Sequence, residues 1–426
     1  MPQAALPGFR DFYPEQFAER AYIIGVWREV MRRYAFVEYD GPPLEPLDLY
    51  RKKSGDELMG QLYSFTDKGD REVALRPEMT PTFARMVAAR AHSLRKPVRW
   101  FSVPQLFRYE RQQKGRLREH FQLNADIVGE AGVSADAELA ALALDVMKNF
   151  GLSASDVNVR VSDRRLLQSL LTEAGVAEIA MAAVYAVVDK RAREPAAVSR
   201  EKLESAVSSV EVANRVETIL GTADIDVLAS RHSSGPAGEH IERMREYLRY
   251  LEALGFRDWV TLDLSVVRGL AYYTGIVFEL FDTAGEMRAI CGGGRYDNLL
   301  ATLGGADLPA LGFGMGDVVL GDLLRARGLF PRPASSTDYW VAADNGALTT
   351  DVMAIATKLR DRAKSVEYAL RPQQVGRQLK AATAAGARRF VLLKAERRET
   401  GEVTIKDLET GAERSLPLDE FINTID

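Results

Sequence analysis

One cysteine, Cys291, stands among 426 residues. It excludes an intrachain disulfide and a cysteine-rich metal site, and a reducing cytoplasm is the expected setting. Histidine is nearly as scarce. There are four, none paired as His-x-x-x-His, so no zinc signature is read. No apolar run approaches the ~20 residues of a transmembrane helix, so no membrane partner is expected. The opening Met1-Pro2-Gln3-Ala4-Ala5-Leu6 has neither the basic start nor the apolar centre of a signal peptide. Positive charge is not in excess: the net charge is −4. Taken whole, an acidic chain does not point to nucleic acid, but charge distribution matters more. Between Lys358 and Arg398 there are twelve Lys/Arg against three Asp/Glu, and between Arg108 and Arg118 five against one. Such basic blocks either sit on solvated surfaces or meet phosphates.

What is present is ordinary globular material, 46% apolar and 27% charged, long enough for two or three domains. The chain is organised around Phe107-Arg108-Tyr109-Glu110-Arg111-Gln112-Gln113-Lys114-Gly115-Arg116-Leu117-Arg118-Glu119-His120-Phe121-Gln122. Trp100 to Leu106 reads as a strand before it, and Leu123 to Gly129 as a strand after it. The polar run Gln112 to Gly115 reads as the loop of a long hairpin. Strand side chains alternate, so Arg108 and Glu110 share a face, as do Arg118, His120, Gln122, Asn124 and Asp126. Phe121, Leu123 and Ile127 take the other face. One side is apolar and the other crowded with charge. A solvated hairpin would tolerate that, but a buried one needs a charged ligand, because unpaired buried charge is costly.

The rest of the chain places further strings around this hairpin. Phe17, Ala21, Ile24, Trp27, Met31 and Tyr34 recur at helical spacing, predicting a helix over 15–34. A turn through Glu38 to Pro46 follows. Tyr63 to Asp67 and Val73 to Thr80 read as strands around a Lys68-Gly69-Asp70 turn, with a helix from Pro81 to Ala91. From Asp163 to Gly255, Leu- and Ala-rich helical periodicity dominates. Strands return at Trp259 to Leu264. Then come Val267-Arg268-Gly269-Leu270-Ala271-Tyr272-Tyr273-Thr274-Gly275, the run Cys291-Gly292-Gly293-Gly294-Arg295-Tyr296-Asp297, and Gly312-Phe313-Gly314-Met315-Gly316-Asp317. Glycines at alternate positions let a backbone approach a flat ligand closely. Asp317 is placed to cap a helix over 318–327. Beyond a linker at 331–337, strands (339–343, 365–370, 389–394) alternate with helices (348–362, 373–385), a small α/β domain.

The Phe107–Gln122 string resembles motif 2 of class II aminoacyl-tRNA synthetases, and its Gln-Lys-Gly-Arg-x-Arg loop is similar to that of histidyl-tRNA synthetases. The helix–strand–proline opening resembles motif 1, Arg76-Pro77-Glu78-Met79-Thr80 a stretch shared by several class II enzymes, the Arg268–Gly275 string the histidine-specific motif, and Gly312–Asp317 motif 3. The resemblance implies an α+β fold. A class II catalytic core, an antiparallel sheet flanked by helices, would occupy 1–330, with a helical insertion at 163–255. An α/β anticodon-binding domain would occupy 338–426. It implies a histidine–tRNA ligase that makes histidyl-adenylate and pyrophosphate from ATP, then charges the 3′ end of tRNA(His). ATP would arrive with Mg²⁺ as a substrate complex, with no prosthetic group. L-histidine and tRNA(His) would be the other substrates, and motif 1 would form a homodimer.

Residue by residue, the resemblance assigns Arg108 and Arg268 to catalysis at the α-phosphate. It assigns Arg108, Glu110, Arg116, Arg268, Gly314 and Gly316 to ATP. Glu78, Thr80, Arg108, Gln122, Asp126, Arg268, Tyr272 and Tyr273 would hold histidine, and Gln113, Lys114 and Arg118 the tRNA acceptor end. A neutral imidazole offers one donor and one acceptor, which a carboxylate and a phenol match. The sequence departs from the common pattern in four places. Ala271 and Asp126 replace an Asp and a Glu, Glu119-His120-Phe121 is unusual in motif 2, and Val319 stands where motif 3 carries an arginine. These mark a minority branch. Arg116, with Arg295, is then expected to meet the outer phosphates. The competing reading is a non-catalytic relative, such as the regulatory subunit of ATP phosphoribosyltransferase or a tRNA-sensing regulator.

Overall fold

In the computed structural model of the chain, the described residues are 4–51, 59–110, 115–191, 194–268, 273–285, 287–303, 305–331 and 337–425. They form two compact units, Met1–Phe330 and Pro331–Asp426. The expected linker falls mostly outside the described residues, as do most of the motif 2 loop, Gln113 and Lys114 included, and Gly269 to Tyr272.

In the first unit, helix α1 (Pro14–Arg33) buries Ile23, Trp27, Val30 and Met31 on one stripe. Strands β1 (Val37–Glu38), β2 (Leu44–Pro46), β3 (Ser64–Thr66) and β4 (Glu72–Leu75) follow, with α2 (Leu47–Arg51) between β2 and β3. Helix α3 (Thr80–Arg90) precedes β5 (Val98–Ser102), β6 (Gln105–Phe107) and β7 (Glu119–Val128). Helix α4 (Val133–Asn149) and β8 (Val157–Asp163) lead to six helices over 164–253. Their last, α10 (Gly238–Ala253), buries Ile241, Met244, Tyr247 and Leu251. The intervening α5 to α9 are Arg164–Glu173, Glu178–Lys190, Ala196–Val207, Val210–Leu220 and Ile225–His232. Strands β9 (Val260–Leu262), β10 (Ile276–Asp282), β11 (Cys291–Arg295) and β12 (Ala310–Gly316), the short α11 (Leu299–Thr302), and α12 (Asp317–Ala326) complete the unit.

The main sheet runs β1-β5-β7-β12-β11-β10-β8-β9, with β6 also on β7. Its centre is antiparallel, and the outer pairs β1·β5 and β8·β9 are parallel. The hairpin expected from sequence is interrupted at Val103-Pro104, where the lack of a proline N–H ends the ladder. Its first arm is therefore two strands, β5 and β6, both on β7. Leu123, Ala125 and Ile127 of β7, Leu311, Phe313 and Met315 of β12, and Ile276, Phe278 and Leu280 of β10 face one core against α1, α4 and α10. Cys291 is buried in that core, where desolvation pushes its thiol pKa far up, so it is unreactive.

The second unit has a five-stranded sheet in the order β14-β13-β15-β16-β17, formed by β13 (Tyr339–Ala343), β14 (Val366–Tyr368), β15 (Arg389–Leu393), β16 (Glu402–Asp407) and β17 (Glu413–Pro417). Helices α13 (Thr349–Arg360), α14 (Val375–Ala384) and the terminal α15 (Leu418–Asn423) cover it. The β13–α13–β14–α14–β15 alternation follows the expected pattern. The β16–β17 hairpin was not read from the sequence: Thr404 and Thr410, the polar residues and Gly411 blur its period.

Candidate active site

One face of the sheet is emptied by its own residues. In register across β7, β12, β11 and β10, Asp126 meets Gly312, then Gly294, then Val277, and Asn124 meets Gly314, then Gly292, then Glu279. Period 2 sends every glycine of these two strings, apart from Gly293, to this face and sends Phe313 and Met315 to the core. The result is a trough floored by backbone. Beside β7 it has no room for methyl groups at two positions: a Cβ at Gly314 would lie 2.8 Å from the Gln122 amide, and one at Gly312 would strike the Asp126 carboxylate.

Along the β7 wall stand Gln122, Asn124 and Asp126. Asp126 is buried and accepts a hydrogen bond from the Tyr296 hydroxyl. The role of Tyr296 escaped the sequence reading, although it stands two residues after the glycine run. Behind it, Tyr273 packs with Val128, Val277 and Phe83 in an apolar cluster that closes this end. Tyr39 stacks on Trp100 and Phe83 at centroid distances of 5.4 and 5.6 Å, stiffening the same corner. Burial pushes the Tyr39 hydroxyl pKa well up, so it stays protonated.

Along the opposite wall, Arg268 lies over Gly292 and donates from Nη1 to Glu279 Oε1 at 2.6 Å. Its backbone is left-handed, with φ 57°, and Arg164 holds the Val267 carbonyl at 3.0 Å. At the near end, Arg108 pairs its N–H with Arg118 O at 2.9 Å and points Nε to Pro77 O, also at 2.9 Å. This draws motif 2 against the turn that carries buried Glu78 and leads into α3, whose first residue is Thr80.

Several expectations are corrected. Glu110 does not continue the strand beside Arg108. Its N–H turns back to Arg108 O at 2.8 Å, because Tyr109 leaves to bond Gln61 O, and its carboxylate pairs with Arg116. Arg295 does not face the trough at all. It alternates with Gly294, so it points into the core, where it is 1% exposed and donates to both Asp136 oxygens and to the Glu130 and Gly132 carbonyls. A guanidinium so fully used holds α4 to the sheet and cannot reach a phosphate. Asp317 does not cap α12 with its side chain. It accepts from Phe121 N at 2.9 Å and pairs with Arg10 at 2.9 Å, while Arg10 also grips Glu119 at 2.6 Å. That knot ties the N-terminal segment to motifs 2 and 3. Next to it, burial and the charges of Arg108, Arg10 and Arg116 push the His120 pKa down to about 3, so its imidazole is neutral at any physiological pH. Arg118 is only partly available: its guanidinium stacks 4.2 Å from the Tyr109 ring centroid. Tyr272, Gln113 and Lys114 lie outside the described residues.

An antiparallel sheet with a glycine-floored face, rimmed by arginines from a motif 2 hairpin and a helix-flanked wall, is the catalytic core of a class II aminoacyl-tRNA synthetase. The Histidyl-tRNA synthetase family profile matches residues 8–316, and the Anticodon binding domain profile matches 340–426. The chain belongs to the histidyl-tRNA synthetase family. It is 43% identical to a histidine–tRNA ligase of Opitutus terrae, over 98% of this chain and 96% of the relative. It is 40% identical to the chloroplastic/mitochondrial histidine–tRNA ligase of Arabidopsis thaliana, over 97% and 85%. The crystal structure of histidyl-tRNA synthetase from Nostoc sp. PCC 7120 superposes with a TM-score of 0.83, at 22% identity and 99% coverage of both chains, which speaks for the fold.

Proposed function

We infer that the protein is a histidine–tRNA ligase. The observation that carries the reading at residue level is the trough: a flat, side-chain-free floor between the Asp126–Tyr296 corner and the Arg108 and Arg268 guanidinia. Adenine and ribose lie on the floor beside Gly314 and Gly316, and histidine sits at the Asp126 end. Asp126 and Tyr273 meet the imidazole, while Glu78, Thr80 and Gln122 face the α-amino group. The histidine carboxylate attacks the α-phosphorus of ATP, which enters as its Mg²⁺ complex, and pyrophosphate leaves. Arg108 and Arg268 stabilise charge that builds on the α-phosphoryl oxygens, and the reaction otherwise depends on positioning. The terminal ribose hydroxyl of tRNA(His) then takes the histidyl group, returning AMP. A second copy of the chain completes the working form: Val37 of edge strand β1 and Phe65 of β3 are 61% and 53% exposed, apolar surface that an interface would cover. The working compartment is cytoplasmic.

Purified protein should exchange labelled pyrophosphate into ATP with histidine and with no other standard amino acid, and should charge a tRNA(His) transcript. No exchange under any condition would leave the non-catalytic reading in its place.

Two further results are expected. Arg116 pairs with Glu110 at the mouth of the trough, so it is positioned to turn to the outer phosphates of ATP. A charge-assisted contact contributes ~1.5–3 kcal/mol, so Arg116→Ala should raise the ATP requirement of exchange by about tenfold or more. An unchanged ATP dependence would remove Arg116 from the phosphate site. The second unit has its own cores, around Val341 and Val391 on one side of its sheet and around Trp340 and Phe390 on the other. Deleting 334–426 should therefore reduce aminoacylation far more than histidine activation. Loss of activation with tRNA affinity intact would contradict the assignment of the Lys358–Arg398 block to the anticodon arm.

A further inference from the structure

The charges facing the trough offer no surplus of cations for a triphosphate. Arg108, Arg116 and Arg268 are set against Glu78, Glu110, Glu279 and Asp126, and two of the three arginines already have carboxylate partners. His120 adds no charge. Val319, in the first turn of α12, contributes an aliphatic side chain. A polyanion held here needs another cation at the end away from Asp126.

The hairpin between β10 and β11 brings one. Its turn is anchored: buried Asp282 accepts from Met287 N at 3.0 Å, and Ile290 N returns to Leu280 O at 2.8 Å. Ile290 O in turn meets Gly316 N, at the glycine end of β12, at 3.4 Å. Arg288 follows Met287 on this anchored arm and is exposed. Its side chain runs to Gly115, the residue before Arg116. A Cβ built on Gly115 would lie 4.0 Å from Arg288 Cδ and 3.2 Å from Val319 Cγ2. Gly115 itself is left-handed, with φ 74°, a conformation that favours glycine. Arg288 and Val319 thus bracket the same point of the returning motif 2 loop, and the guanidinium extends beyond Cδ from there.

We propose that Arg288 supplies the cation that meets the outer phosphates of ATP beside Arg116, at the spot where α12 offers only Val319. The proposal rests on the reading of the trough as the ATP site. Arginine suits the task because its fork binds phosphate oxygens bidentately and does not deprotonate. Arg288 is exposed, whereas Arg295 is buried.

The test compares wild type, Arg288→Ala and Arg288→Lys in histidine-dependent pyrophosphate exchange, with AMP binding followed by calorimetry. Arg288→Ala should raise the ATP requirement about tenfold or more, as expected for one lost charge-assisted contact. Its histidine requirement and its affinity for AMP, which lacks the outer phosphates, should stay within about twofold. Arg288→Lys should recover part of the loss, since the charge returns without the fork. An unchanged ATP requirement in Arg288→Ala overturns the proposal. So does a parallel fall in AMP affinity, which would make Arg288 a support for the loop rather than a phosphate contact. Failure of the ATP reading itself shows separately, as a wild-type protein without exchange.

Discussion

Arg268→Ala should lower the rate of histidine-dependent pyrophosphate exchange by two to three orders of magnitude while leaving the fold intact. The guanidinium lies over Gly292, where no side chain competes for the space, and Glu279 fixes it at 2.6 Å. Its backbone sits in the left-handed region, which costs a non-glycine residue ~1 kcal/mol or more and persists only where the surroundings impose it. Such preorganisation serves a group that must face charge appearing in the transition state. Removing one donor of that kind costs about 10²–10³ in kcat, or about 2.7–4 kcal/mol. The ground-state affinities should change less, because the gain is concentrated in the transition state. Single-turnover measurement of adenylate formation separates the two. A variant with near-wild-type adenylation would sink the assignment, and a lowered melting temperature with normal chemistry would show that the Arg268–Glu279 pair is structural only.

Asp126→Ala should raise the histidine requirement by about tenfold to a hundredfold and leave the ATP requirement nearly unchanged. The carboxylate is 4% exposed, and the Tyr296 hydroxyl holds it above Gly312. A site built to hydrogen-bond an imidazole loses ~1.5–3 kcal/mol when the charged partner goes, and each ~1.4 kcal/mol is tenfold. Tyr296→Phe should show the same split in milder form, since it removes one hydrogen bond to the carboxylate without deleting it. Discrimination against apolar amino acids should fall in Asp126→Ala, because the buried carboxylate that an apolar substrate leaves unpaired is gone. Equal changes in the histidine and ATP requirements would move the imidazole pocket elsewhere.

Much of this was legible beforehand, for local reasons. The two faces of β7 follow from alternation, and Leu123 and Ile127 face the core while Gln122 and Asp126 face the glycine trough. The glycine strings pointed to a backbone open to close approach, since glycine at every second position leaves one face of a strand without side chains. Helix α1 announced itself by the spacing of Trp27 and Met31. The errors share a cause as well. Arg295 looked like a site residue because it adjoins a glycine run, and adjacency in a strand means opposite faces. Glu110 looked like a strand residue because periodicity does not show where Tyr109 finds a different backbone partner in Gln61.

The sequence by itself determined the family, the order of motifs and the chemistry they could support, because motifs 2 and 3 and the Arg268–Gly275 string are contiguous and each carries its own local pattern. Only the tertiary structure decided which charges meet. Register places Glu279 across from Gly292, core packing claims Arg295 for Asp136, the Tyr296 hydroxyl finds Asp126 from two strands away, and Arg288 arrives beside Gly115 from another hairpin. These partners lie far apart along the chain, and a long-range electrostatic or hydrogen-bonded pair leaves no trace in local periodicity. Its energy depends on distances that the folded sheet alone sets.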